Sequence, residues 1–169
     1  MNQMLEGIFK NIDKIKYHPE LVMSTGLTYK GKDIRISYRD QLPNRTALAC
    51  SVLYFKEDHS IEYRILIDEY FYQLSDDLKV FCIAHEIGHI LSGHQDYKNI
   101  PKILYNNLKR KYLYVLSKLE VEADAYAIKE LGLPKETVEV MLHRLYDECI
   151  AIGLSPSCTD IMGRIEALK

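Results

Sequence analysis

The sequence contains no tryptophan, and its cysteines are too few and too far apart to form a thiol-rich site. Four cysteines lie at positions 50, 82, 149 and 158, and no two of them form a C-x-x-C pair. A thiolate zinc site and a thioredoxin-like redox motif both need that close spacing, so the sequence excludes both. We therefore expect reduced thiols that are mostly buried.

Long apolar runs and a strong excess of one charge are also missing. The longest apolar stretch, Val80 to Leu91, is broken by two histidines and a glutamate, and it falls far short of the ~20 residues that cross a bilayer. With 22 basic and 24 acidic residues the formal net charge is -2, so no general positive field attracts a polyanion. The first residues lack the apolar core and the cleavage site of a secretory signal. We expect a cytoplasmic protein with no membrane span and no nucleic-acid partner.

The length and composition fit one ordinary domain. The chain has 169 residues, of which 47% are hydrophobic, and this is enough to build a core without disulfides. No internal repeat, low-complexity run or Ser/Gly linker divides it. We therefore predict a single domain over residues 1–169.

The spacing of apolar residues predicts one helix, then a small sheet, then helices only. A first helical face is formed by Leu5, Ile8, Phe9, Ile12 and Ile15. Alternation predicts strands at 33–37, 47–55 and 61–68, the last two forming a hairpin, within a sheet of three or four strands. Helical patterns follow at 75–91, at about 102–131, at 135–152 and at 159–168, and the second of these is either continuous or restarts at Ser117. This order is typical of the α+β class.

The helix at 75–91 contains His85-Glu86-Ile87-Gly88-His89, an H-E-x-x-H motif. Histidines four residues apart share one helix face and can bind a single zinc ion, while Glu86 lies at the edge of that face, beside a metal-activated water. Without a metal, burying these polar residues in the most apolar helix of the chain would cost several kcal/mol. We therefore predict one Zn²⁺ per chain, with His85 and His89 as ligands and Glu86 as the catalytic base.

A hydrolytic zinc site takes a third protein ligand and leaves one position for water. At metzincin spacing the third position holds Gln95, and His94, one residue earlier, turns away from the ligand face and is expected at the surface or rim. Glu120 and Asp124 lie four apart on the next helical region. Glu120 is predicted as the third ligand, and Asp124 as the acceptor for the far ring nitrogen of a zinc histidine. Glu122 lies roughly 200° round the helix from Glu120 and is expected to face solvent.

The motif HEIGH followed by Glu120 and Asp124 resembles the gluzincin metallopeptidases. Within them, AHEIGHILSGH at 84–94 is similar to the ImmA/IrrE-type peptidases, whereas EVEADAYAIKELGLP at 120–134 and the final GRIEALK resemble the HtpX and CAAX-prenyl endopeptidases. The resemblance implies a zincin-like α+β fold. In that fold an N-terminal helix and a small, mostly antiparallel sheet precede the active-site helix, the glutamate helix and C-terminal helices.

Two residues near the C-terminus bear on the second resemblance. It implies that Arg164 lies near the cleft, while a packing role or a surface ion pair fits the residue equally well. Cys158 stands where that group has a histidine, so no oxyanion-stabilising role is carried over to this position.

The expected function is that of a zinc-dependent endopeptidase acting on a protein or peptide substrate, by resemblance a specific cytoplasmic regulatory protein. We expect the strand at 47–55 to form the sheet edge beside the cleft, where a substrate pairs as an added antiparallel strand. The alternative is a zinc-bearing protein-binding or regulatory module with little or no activity, although a purely structural zinc would not need Glu86. A helix-turn-helix at 136–168 is disfavoured because residues 133–169 carry more acidic than basic side chains.

Overall fold

The α+β order predicted from the sequence is confirmed by a computed structural model, which describes residues 3–39, 49–96, 112–153 and 158–168. An N-terminal helix is followed by four strands and then by helices only. The elements are α1 (Gln3–Tyr17), β1 (Val22–Tyr29), β2 (Lys32–Tyr38), β3 (Ala49–Phe55), β4 (Ile61–Ile67), α2 (Asp76–Leu91), α3 (Tyr112–Leu131), α4 (Lys135–Ala151) and α5 (Cys158–Ala167).

The four strands form one mixed sheet in the order β1-β2-β4-β3. Strands β1 and β2 are antiparallel, and so are β3 and β4, which confirms the predicted hairpin. The central pair β2 and β4 is parallel, so the sheet is mostly but not wholly antiparallel. Strand β3 lies at one edge, as predicted, and within the described ranges no strand pairs with its outer side.

The sequence predicted three or four strands but did not locate β1, and the composition of β1 shows why. Its inward positions are Met23, Thr25, Leu27 and Tyr29, so a polar residue occupies the most buried of them. Gly26 follows with a φ of 75°, in the left-handed region, and the register with β2 shifts between Ser24 and Thr28. The Thr25 hydroxyl is satisfied by donating to the Ile34 carbonyl at 2.8 Å. A threonine and a glycine thus hide the alternation that identifies a strand.

The core lies between one face of the sheet and helices α1 and α2. Helix α1 packs on β1 and β2 through a single apolar face, while α2 packs on β3 and β4. The inward isoleucines of the two central strands are fully buried, and each stabilises the fold by about 1.5–3 kcal/mol. They include Ile34, Ile36, Ile65 and Ile67.

Helix α2 is buried on nearly all sides because α3 covers the face that the sheet leaves open. The two helices approach most closely at Gly88, where an added Cβ would lie 2.8 Å from the carbonyl oxygen of Ala123. Ala123 and Ala127 are fully buried one turn apart, and their small side chains permit this approach. Since Glu120 and Asp124 lie on the same face of α3, they are brought against α2 at the H-E-x-x-H motif.

Some of the predicted features lie outside the described residues, namely the start of the 102–131 helix and positions 47–48. Ser117 lies inside α3, so the helix does not begin there. In the ranges that can be described, none of the helices combines the length and the apolar character that crossing a bilayer would require.

Candidate metal centre

His85, His89 and Glu120 converge on one point between α2 and α3, and we call these three residues the metal triad. The Nε2 atoms of the two histidines lie 3.0 Å apart. Glu120 Oε2 is 3.0 Å from His85 Nε2, and Glu120 Oε1 is 3.3 Å from His89 Nε2. One candidate ligand atom from each residue therefore falls within a group small enough to hold a metal ion.

The donor set and spacing of the triad fit a zinc ion. At zinc–ligand distances of about 2.0–2.1 Å and tetrahedral angles, neighbouring ligand atoms lie about 3.3 Å apart, which is close to the separations above. Two imidazole nitrogens and one carboxylate oxygen also form a known catalytic zinc set. In neutral histidines whose Nδ1 atoms carry the protons, all three groups direct lone pairs at the same point. A cation at that point converts their mutual repulsion into attraction.

Asp124 lies beneath His85 and is itself held by Arg164. Its Oδ1 accepts a hydrogen bond from the far nitrogen of His85, Nδ1, at 2.9 Å. Arg164, from α5, donates to both carboxylate oxygens, from Nε and Nη2, each at 2.7 Å. Asp124 and Arg164 are both buried, so this is a desolvated bidentate ion pair rather than a surface one. The contact orients the His85 ring so that Nε2 faces His89 and Glu120.

The pKa shifts show that this cluster favours a positive charge. Burial and the Arg164 guanidinium lower the pKa of His85, but Asp124 and Glu120 outweigh them and raise it to about 10. Burial raises the pKa of Glu120, yet its contacts with the ring nitrogens of His85 and His89 hold it well below its usual range. The pKa of Asp124 is likewise lowered, because the charge of Arg164 and the His85 bond overcome burial. Both carboxylates are therefore ionised at neutral pH, and the positive charge that they favour is either a proton on His85 or a metal ion that replaces that proton.

Glu86 faces a different neighbour from His85, because one residue turns a helix by about 100°. Its Oε2 accepts a hydrogen bond from the backbone N–H of Ser51 on β3, at 2.7 Å. The side chain of Gln95 donates to the Ser51 hydroxyl at 3.0 Å. The half-buried Glu86 carboxylate is thus fixed at the edge strand, next in sequence to a triad residue.

The expectation that His94 lies at the surface or rim is wrong. Only 7% of His94 is exposed, and its Nδ1 lies 2.8 Å from Nδ1 of His89. Helix α2 has ended by then: Gly93 takes a φ of 76°, its N–H bonds the Ile90 carbonyl, and the N–H of His94 bonds the His89 carbonyl. This is a Schellman cap, which places the residue after the glycine against the residue five positions earlier. The expected direction of the His94 side chain was wrong because it assumed that the helix continued to His94. Gly93, a residue typical of helix ends, was the sequence signal that the helix stops before it.

Glu122 lies at the rim of the site rather than free in solvent. Its side chain is 44% exposed, as a solvent-facing residue would be, but Oε2 lies 2.9 Å from Nε2 of His94. The expectation was therefore correct for exposure and missed the contact, because it was drawn from α3 alone. Cys158 begins α5, and its side chain lies outside the described part of the chain.

Similarity to other proteins gives no indication of function, so the site geometry is the basis for the functional assignment. Neither protein-family models, nor curated proteins, nor solved structures give a match to this chain.

Proposed function

We propose that the chain is a zinc-dependent endopeptidase. The observation that carries the proposal is the metal triad of His85, His89 and Glu120, whose donor atoms lie 3.0–3.3 Å apart. Glu86 directly follows the first of these ligands in the sequence. A structural zinc site is normally closed by four protein ligands, whereas three ligands leave a position for water and substrate. The presence of a carboxylate that is not needed as a ligand favours hydrolysis over a purely structural role.

The residues of the site have separate roles in the proposed peptide hydrolysis. A bound zinc ion supplies Lewis acidity, which lowers the pKa of water and polarises a peptide carbonyl. Glu86 takes the proton of the attacking water on a carboxylate oxygen and transfers it to the nitrogen of the leaving amine. The Ser51 N–H keeps the Glu86 carboxylate oriented, and Asp124 keeps the His85 ring in the tautomer that a ligand needs.

The edge strand β3 supports binding of an extended peptide. In an antiparallel pair, backbone groups alternate between facing the partner strand and facing away. Because the Ser51 N–H points to Glu86 and not to β4, those of Ala49 and Leu53 also point outward. A peptide added at this edge would lie beside the catalytic carboxylate. We propose a protein substrate that presents an extended segment, with a cytoplasmic regulatory protein as the first candidate by resemblance.

The metal assignment is tested by zinc analysis of purified protein. We expect one zinc per chain in the wild type and loss of that zinc in His85→Ala and in His89→Ala, because each removes one of the three proposed ligands. His59→Ala, in the β3–β4 turn, is the matched control and should keep its zinc. Full occupancy in either triad variant would show that these histidines do not hold the metal.

The placement of the substrate is tested with proline, which removes one backbone donor. Ala49→Pro is expected to weaken cleavage by raising KM while leaving the protein folded, because the lost N–H faces outward. Val52→Pro is the contrasting variant: its N–H bonds β4, so it should unfold the hairpin. Circular dichroism together with peptide cleavage distinguishes the two. If Ala49→Pro unfolds the protein or leaves KM unchanged, the substrate does not bind at this edge.

A further inference from the structure

The two histidines of the metal triad have different partners at their far ring nitrogens. His85 Nδ1 meets a buried carboxylate, that of Asp124. His89 Nδ1 meets a second imidazole, that of His94, at 2.8 Å, and His94 Nε2 in turn lies 2.9 Å from Glu122 Oε2. The second arrangement connects His89 to the rim of the site through two hydrogen bonds in series.

For neutral imidazoles, the contacts determine where the protons lie along this series. The Glu122 carboxylate oxygen is the acceptor of its bond with His94, so His94 Nε2 carries the proton. In a neutral His94 whose proton is on Nε2, Nδ1 carries a lone pair and can only accept in the 2.8 Å contact with His89 Nδ1. His94 Nδ1 is therefore the acceptor and His89 Nδ1 the donor. The proton of His89 is thereby placed on Nδ1, and the lone pair of Nε2 faces the triad.

The position of His94 is set by structure on both sides of it. The Schellman cap at Gly93 fixes its backbone, and the N–H of Asp96 bonds the Gly93 carbonyl at 3.1 Å. Asp96 is in turn held by the side chains of Lys30 and Tyr63, from the loop after β1 and from β4. The turn that carries His94 is thus fastened to the sheet, which fixes the position of the His94 backbone relative to His89.

We propose that His94 and Glu122 are positioning residues that hold His89 in its ligand tautomer and orientation, as Asp124 does for His85. The inference rests on the proposed zinc centre and adds to it a pair that neither the motif nor the resemblance assigns. His94 acts directly on His89, whereas Glu122 acts only through His94. Loss of such a partner typically weakens metal binding by about 10- to 100-fold.

The test measures zinc affinity by competition with a chromogenic chelator, so it needs no peptide substrate. His94→Leu fills the buried space without an acceptor, and we expect it to lower the affinity by about 10- to 100-fold. His94→Asn is smaller but places an amide oxygen near the former Nδ1, and it should retain most of the affinity. A packing role predicts the opposite ranking, because leucine fills the space better than asparagine.

Glu122 is tested with a double-mutant cycle. Glu122→Ala, at a half-exposed position that tolerates truncation, should lower zinc affinity by about 10-fold in the wild type. In the His94→Asn background it should have no effect, since the Nε2–H that it orients is gone. Glu130→Ala removes a carboxylate further along α3 and is the matched control. It should leave zinc affinity unchanged in both backgrounds.

The possible failures are distinguishable. If the wild type and all variants bind no zinc, the proposed metal centre is wrong and this inference with it. If His85→Ala and His89→Ala lose zinc but His94→Leu binds it like the wild type, the centre stands and His94 has no positioning role. If Glu122→Ala weakens binding equally in both backgrounds, Glu122 acts independently of His94. Equal losses in His94→Leu and His94→Asn would also overturn the tautomer assignment.

Discussion

Replacing Glu86 with glutamine is expected to stop peptide hydrolysis while leaving zinc in place. Glutamine cannot accept the proton of the attacking water, and a general base contributes about 10²- to 10⁴-fold to the rate. The amide oxygen can still accept the Ser51 N–H at the same edge, so neither the fold nor the triad should change. Zinc content by mass spectrometry and cleavage of a proteome-derived peptide library measure the two effects separately.

The same variant separates the peptidase from the zinc-bearing binding module. Glu69→Gln, an exposed carboxylate before α2, is the control and should cleave like the wild type. If Glu86→Gln retains the wild-type rate, Glu86 is not the base. If it loses zinc, Glu86 belongs among the ligands. A wild type that holds zinc, cleaves nothing in the library and is unaffected by the substitution would favour the binding module.

The local sequence pattern was sufficient to predict most of the helices and strands. Helix α2, the β3–β4 hairpin and the last two helices follow from spacing and end signals within each segment, and these predictions are confirmed. The metal triad could also be predicted from the sequence, because residues at positions i and i+4 share one helix face on α2 and on α3. The prediction then requires only that these two faces pack against each other. That they do meet depends on Gly88 and Ala123, and only the packed structure shows this contact.

The features that were missed depend on partners distant in sequence. Strand β1 is held by pairing with β2 and by the bond from Thr25 to Ile34, which local alternation does not reveal. Strand β2 pairs in parallel with β4, and the hairpin pattern predicts only the pairing of β4 with β3. The His94 contact arises where a helix ends and the chain reverses, so a helical projection gave the wrong direction for that side chain.

Removing the Asp124 carboxylate is expected to produce the largest loss of stability. In Asp124→Ala the buried guanidinium of Arg164 loses its bidentate partner and keeps the longer contact with Glu120, at 3.7 Å. Breaking a buried ion pair in this way costs about 3–5 kcal/mol. The Nδ1–H of His85 also loses its acceptor. Urea unfolding of the metal-free protein should therefore show a free energy of unfolding lower by that amount. Zinc affinity should fall by about 10- to 100-fold as well.

A double variant distinguishes the two roles of Asp124. Asp124→Leu combined with Arg164→Met removes both buried charges, and such replacements are often neutral or stabilising, so the metal-free protein should recover most of its stability. Zinc affinity should nevertheless stay low, because His85 still lacks an oriented acceptor. The loss of Arg164 cannot explain this lower zinc affinity. Its guanidinium lies 3.7 Å from the ligand Glu120, so removing that positive charge should strengthen the binding of a cation. If affinity returns together with stability, Asp124 serves the fold and does not orient the metal ligand.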